Sequence, residues 1–159
     1  MRELYYPIAL KLKDKTALVA GGGEVAQRKV KTLLKFGARV GVVSPDLTTE
    51  LSRLFDSRRI SWRSRVIRRQ DVKVADIIIA ATSEPAVNKK ISQWAKEQNI
   101  LVNIVDNAGL STFISPAVFS NGKATVAVYT QGKNPVLSRD LKNFLKEHWD
   151  EFLSYRSRL

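Results

Sequence analysis

Three consecutive glycines, Gly21-Gly22-Gly23, stand between a short apolar run, Thr16-Ala17-Leu18-Val19-Ala20, and a patterned stretch from Glu24 to Phe36. The run reads as a strand buried on both faces. In the stretch beyond the glycines, Ala26, Val30, Leu33 and Leu34 fall on one stripe of a helix, which Gly37 ends in the C′ position. Gly21-Gly22-Gly23-Glu24-Val25-Ala26 therefore fits G-x-G-x-x-G/A, and it fits in the strand–turn–helix context that the pattern needs. Gly21 permits the tight turn, Gly23 lets the main chain approach a pyrophosphate, and Ala26 lets the helix lie close to the strand. Orphan N–H groups and the positive end of the helix dipole then face the phosphates. The competing reading is a glycine-rich turn that binds nothing.

The same alternation continues down the chain. Arg39–Val43 is a second strand, Asp46 a candidate N-cap, and Leu47–Phe55 a second helix. Ile60–Arg63 alternates like a strand near an edge, and Ala75–Ala81 is a buried strand. Ser83-Glu84-Pro85 opens another helix, with Ser83 as cap, and Ile100–Val105 is one more strand. Alternation of this kind specifies an α/β fold, a Rossmann-type doubly wound parallel sheet with right-handed crossovers. Its ligands bind beyond the carboxyl ends of the strands, which directs attention to the residues after Ala20, Val43, Ala81 and Val105. The last quarter differs: Ala124–Tyr129 alternates as a half-exposed strand, and Val136–Tyr155 reads as one long helix with an aromatic stripe. That stripe either packs on a sheet or meets a second subunit. The expected division is 1–112 for the nucleotide-binding domain and 113–159 for a strand-plus-helix extension.

Composition narrows the chemistry. With no cysteine, disulfides, zinc–thiolate sites, iron–sulfur clusters and a cysteine nucleophile are excluded together. The one histidine, His148, lies in a helical stretch, which argues against a His-rich metal centre or a Ser-His-Asp triad, so no metal site is expected. No apolar run approaches membrane-span length and the N-terminus has no signal-peptide core, so the chain reads as soluble and cytoplasmic. Against 15 Asp and Glu stand 27 Lys and Arg, a net charge of +12, which points to an anionic partner.

Two strand ends carry further candidates. Where an NAD site usually has an acid at the end of its second strand, this chain reads Val43-Ser44-Pro45-Asp46, with Asp46 late and no arginine for a 2′-phosphate, which leans toward NAD over NADP. Asp106 follows the Ile100–Val105 strand on the ligand edge of the sheet. A partly desolvated carboxylate there could serve as a general base, or Asp106-Asn107-Ala108-Gly109 could be turn chemistry alone.

Five ordered motifs carry a resemblance: Gly21–Lys29, Ala80-Ala81-Thr82 with Val87-Asn88, Val102–Asp106, Phe113-Ile114-Ser115-Pro116 and Pro135–Arg139. From about Tyr5 to Leu145 the chain resembles precorrin-2 dehydrogenase, the NAD-dependent module of siroheme synthase. The resemblance implies oxidation of precorrin-2 to sirohydrochlorin with reduction of NAD⁺, on the route to siroheme or cobalamin. It implies that Asp106 is the catalytic aspartate and that Glu24, Val25, Ser44, Pro45 and Asp46 contact the cofactor. Ala81 and Thr82 fall on the cofactor side of the cleft. Thr130, Gly132, Lys133 and Asn134 match a loop near the tetrapyrrole, although Gln131 replaces a glycine common there. Arg28 is the candidate for steering the polycarboxylate substrate, whereas the Arg58–Arg69 run reads as a solvated edge. Family members are homodimers built through the segment after the nucleotide-binding part, which would explain the aromatic helix. Many relatives continue past the position of Leu159 into a further helical domain, so a separate chelatase is expected to insert the metal. Two other classes compete: a nucleotide-sensing regulatory module without catalysis, and nucleic-acid binding, for which the sequence offers charge but no recognition signature.

Overall fold

The computed structural model describes residues 5–105, 107–122 and 124–156. The chain forms two compact units: Pro7–Phe113, and Tyr5 and Tyr6 together with residues from Ile114 onward.

The first unit alternates strictly: β1 (Thr16–Ala20), α1 (Glu24–Lys35), β2 (Arg39–Ser44), α2 (Thr49–Asp56), β3 (Ile60–Ser64), α3 (Arg69–Val72), β4 (Ile77–Ala80), α4 (Pro85–Lys96) and β5 (Leu101–Ile104). Its five strands pair in parallel in the order β3-β2-β1-β4-β5. Alternate residues of β1 feed opposite faces. Val19 packs with Val30 and Leu33 of α1 and Leu51 of α2, whereas Leu18 packs with Val72 of α3 and Ile91 and Ala95 of α4. A core on both faces is why the central strands β1 and β4 are almost continuously apolar. The strand order reverses between β1 and β4, and the crevice beyond their carboxyl ends is where such a sheet takes a ligand.

Helix ends follow local chemistry, with two corrections. At the end of α1, Gly37 takes φ +81°. Its N–H donates to the Leu34 carbonyl (3.0 Å) and that of Ala38 to Leu33 (3.1 Å), a Schellman closure. The cap of α2 is Thr48, whose hydroxyl accepts from Leu51 N–H (3.3 Å), and not Asp46. The chain needs Leu47 against the core before the helix can start, so the cap falls two residues later. At α4 the cap position belongs to Glu84 with Pro85 in the first turn; Ser83 lies one residue outside, and no side chain caps the helix.

Asp71 is buried at the start of α3 and holds the chain that leaves β3. Its carboxylate accepts from Arg65 through both guanidinium nitrogens (2.7 Å each), from Arg63 (2.9 Å) and from the Arg68 backbone N–H (2.8 Å). The Arg65 hydrogen bonds, opposed by burial, hold its carboxyl below the usual carboxylate pKa. Part of the Arg58–Arg69 run is thus structural. Asp71→Ala leaves two guanidiniums without their partner and is expected to cost about 2 kcal/mol, or about 5 °C in melting temperature at pH 7. Because the folded pKa is depressed, this contribution is full above the ordinary carboxylate pKa of about 3.9 and is lost as pH falls through the lower folded value. Melts of variant and wild type should therefore converge in acid.

The second unit contains a hairpin that sequence periodicity half misses. β6 (Ala117–Ser120) pairs antiparallel with β7 (Thr125–Val128), Ala117 opposite Val128. Two helices follow, α5 (Pro135–Glu147) and α6 (Trp149–Arg156), in place of the single helix expected over 136–155. His148 breaks them: it is the C-cap of α5, its ring stacks on Phe144 at 4.1 Å, and Trp149 turns to meet Phe119 edge-on at 5.5 Å. α5 packs on the hairpin, yet Val136, Leu137, Leu141, Phe144, Phe152 and Tyr155 stay exposed. No helix among the described residues is long and apolar enough to cross a membrane.

Candidate dinucleotide cleft

The carboxyl ends of β1, β2 and β4 open into a cleft of about 710 Å³. Gly21, Gly22, Gly23, Glu24, Val25, Ser44, Pro45, Asp46, Ala81 and Thr82 all line it, so the ten residues that sequence points to as cofactor contacts meet in one place. Sequence reading passes over Val66, Ile67, Ser83, Glu84 and Val87, which line it too. The signal for Val66 and Ile67 was the carboxyl end of β3, which the same strand-end rule covers.

The three glycines do different work. Gly21 has φ +115°, and a Cβ on it would stand 2.3 Å from the Ala81 carbonyl oxygen. A Cβ on Gly22 would stand 1.9 Å from the Asp46 carbonyl oxygen and 2.8 Å from the Ser44 hydroxyl. Both are glycines because the protein's own backbone occupies the space. Backbone bonds lock the same contacts: Gly21 N–H to the Val43 carbonyl (3.0 Å) and Thr48 N–H to the Gly22 carbonyl (2.9 Å). Gly23 is different. Its φ of −81° suits any residue, and nothing lies within 4 Å of where a Cβ would be. Packing does not need a glycine there; a ligand held close to the main chain would.

Gly23 is also the N-cap of α1, and it offers no side-chain hydrogen bond to the first turn. The first-turn N–H groups have no acceptor within the helix and sit at the positive end of its dipole. A pyrophosphate fits this arrangement. Glu24, Asp46 and Glu84 are the charged residues among those lining the cleft. A site on a chain of net charge +12 that shows only acids favours the two hydroxyls of a ribose and disfavours a 2′-phosphate.

The remaining candidates lie elsewhere. Arg28 is one turn along α1 and opens onto a shallower concavity with Gln27, Thr48, Glu50 and Arg53. Thr130, Gly132, Lys133 and Asn134 belong to the second unit, in the turn between β7 and α5. There the Thr130 hydroxyl accepts from Asn134 N–H (3.0 Å), Asn134 caps α5 through Leu137 N–H (2.9 Å), and Gly132 takes φ +71°. Gly132 and Lys133 are left exposed. Asp106 lies outside the described residues. Its neighbours are tied down: Val105 N–H donates to the Ala80 carbonyl (2.9 Å), and the Ser111 hydroxyl accepts from Ile104 N–H (2.8 Å) and bonds the Asn107 carbonyl (2.9 Å).

Comparison with known proteins places this geometry. A family model described as putative NAD(P)-binding matches residues 8–117. The chain is 39% identical over 135 residues to the precorrin-2 dehydrogenase of Bacillus subtilis, covering 85% of this chain and 83% of that protein. It is 42% identical over 142 residues to the siroheme synthase of Nitrosospira multiformis, covering 87% of this chain but only 30% of that longer protein. Among solved structures, the precorrin-2 dehydrogenase SirC superposes with a TM-score of 0.81 at 29% identity, over 97% of this chain and 76% of that one. A parallel sheet with a glycine loop poised for a pyrophosphate, together with these matches across both units, shows that the chain belongs to the precorrin-2 dehydrogenase family.

Proposed function

We propose that this chain oxidises precorrin-2 to sirohydrochlorin with NAD⁺ as the acceptor. One observation carries the cofactor half: Gly23 is a glycine that the protein's packing does not require, at the N-terminus of α1 and in the wall of the cleft. The substrate half is supported by the likeness to the Bacillus subtilis precorrin-2 dehydrogenase over most of both chains. NAD⁺ supplies a hydride acceptor when bound. The residues of the chain supply the rest. The glycine loop and α1 hold the pyrophosphate, and Ser44, Pro45 and Asp46 face the adenosine end. Asp106 takes the proton that the macrocycle gives up as its hydride leaves, so one hydride and one proton pass to products with no further oxidant.

The substrate is a polycarboxylate, and the chain's excess of basic residues raises its local concentration and its encounter rate. With an all-acidic set of charges, the cleft does not share in that attraction; Arg28 and the exposed Lys133 of the β7–α5 turn are the proposed contacts. The exposed apolar side chains of α5 and α6 are the proposed homodimer surface, with the protein working in the cytoplasm.

Anaerobic incubation with precorrin-2 and NAD⁺, followed by NADH absorbance, tests the reading. NADP⁺ in its place is expected to lower kcat/KM about a hundredfold, because its 2′-phosphate meets only acids. Equal rates with the two cofactors would contradict the electrostatic argument.

A further inference from the structure

We infer that Asn88 is a positioning residue for the dinucleotide, holding the Ala81–Thr82 turn at the crevice between β1 and β4. This rests on the cofactor reading above. Asn88 lies in the second turn of α4 and is only 9% exposed. Its side-chain amide addresses one residue from three sides. Oδ1 accepts from the Thr82 hydroxyl (2.8 Å) and, more distantly, from Thr82 N–H (3.4 Å), while Nδ2 donates to the Thr82 carbonyl (3.1 Å). The carboxamide thus bonds both polar backbone groups of Thr82, just past the end of β4, as the peptide of a neighbouring strand would. The Thr82 hydroxyl in turn accepts from Glu84 N–H (3.2 Å), so the bend that starts α4 is tied to the same group.

The consequence for the cleft runs through Gly21. The Ala81 carbonyl oxygen occupies the place where a Gly21 Cβ would be, and Thr82 N lies 3.2 Å from the same point. The turn after β4 and the glycine loop after β1 therefore set each other's position, and both line the cleft. A buried asparagine on the inner side of a helix is a poor choice for stability alone, since an apolar side chain of similar volume would pack without needing partners. Its use here is geometric: it fixes the direction of one peptide at the switch point of the sheet.

This placement makes the effect local to half of the cofactor. Adenosine lies toward the end of β2 in sheets of this kind, and the remainder of the dinucleotide crosses toward β4. Asn88→Ala is thus expected to raise the Kd of NADH about tenfold while leaving that of AMP within about twofold. Asn88→Leu, which keeps the volume and guards against a simple loss of folding, should do the same with a melting temperature near that of wild type. Thr82→Val removes one of the three bonds and should weaken NADH by about threefold. The binding titrations and melts are run on the full chain. Unchanged NADH affinity in both Asn88 variants, or equal losses of AMP and NADH, would overturn the positioning role. Failure of the wild-type chain to bind NADH would instead overturn the cofactor reading and this inference with it.

Discussion

Replacing Gly23 by alanine is expected to lower the melting temperature by no more than about 3 °C while weakening NAD⁺ about a hundredfold. The two halves of that expectation have separate causes. In the free protein a Cβ at residue 23 meets nothing within 4 Å and sits on a backbone of ordinary φ, so the one stability cost is the modest preference of an N-cap for glycine over alanine. In the complex the same Cβ separates the main chain from a pyrophosphate that must accept hydrogen bonds from it. Losing good geometry on charge-assisted bonds of this kind costs on the order of 3 kcal/mol. Gly21→Ala provides the contrast. It forces a side chain onto a φ of +115° and to 2.3 Å from the Ala81 carbonyl oxygen, so it should lower the melting temperature as well as the affinity. Thermal melts and NADH titrations of both variants separate a glycine kept for the ligand from one kept for the fold. A Gly23→Ala protein that binds normally would mean that no ligand comes near the main chain there.

Asp106→Asn is expected to reduce kcat by about a thousandfold with little change in NAD⁺ affinity. The amide has the carboxylate's shape but cannot take a proton, and residue 106 follows β5 rather than either strand that carries the glycine loop or the adenosine end. Stopped-flow turnover beside equilibrium NADH binding makes the comparison. A variant that turns precorrin-2 over at the wild-type rate would remove the proposed proton acceptor, and the chain would then be better described as a nucleotide-binding module.

Much of the first unit was legible because its signals are local. The apolar runs of β1 and β4, the stripe Ala26–Val30–Leu33 on α1 and the stop at Gly37 are each written within a few residues. What escaped depends on distant partners. Thr48 outcompetes Asp46 as a cap because its hydroxyl also reaches Gln27 (2.6 Å) and its N–H reaches Gly22, contacts that exist only once α1 and β2 are assembled. Val66 and Ile67 enter the cleft because Asp71 folds the β3–α3 connection back, a bond network that spans several residues with no periodicity to reveal it. The break at His148 was hidden by an apolar pattern that runs smoothly through it; the stacking on Phe144 and the Trp149–Phe119 contact, not the helical period, decide that end. Ten of the residues that line the cleft were legible because each stands at or just past the carboxyl end of a strand. Asn88 and Thr82 were visible in one motif, but the hydrogen bonds that join them were not.

The most direct test of the whole account is a single-turnover count. Precorrin-2 is added in known amount to this chain with excess NAD⁺ under anaerobic conditions, and NADH and sirohydrochlorin are measured together. One NADH should appear for each precorrin-2 consumed, at the same rate as the sirohydrochlorin. Sirohydrochlorin formed without NADH, or no oxidation of precorrin-2 by a chain that binds NADH, would contradict it.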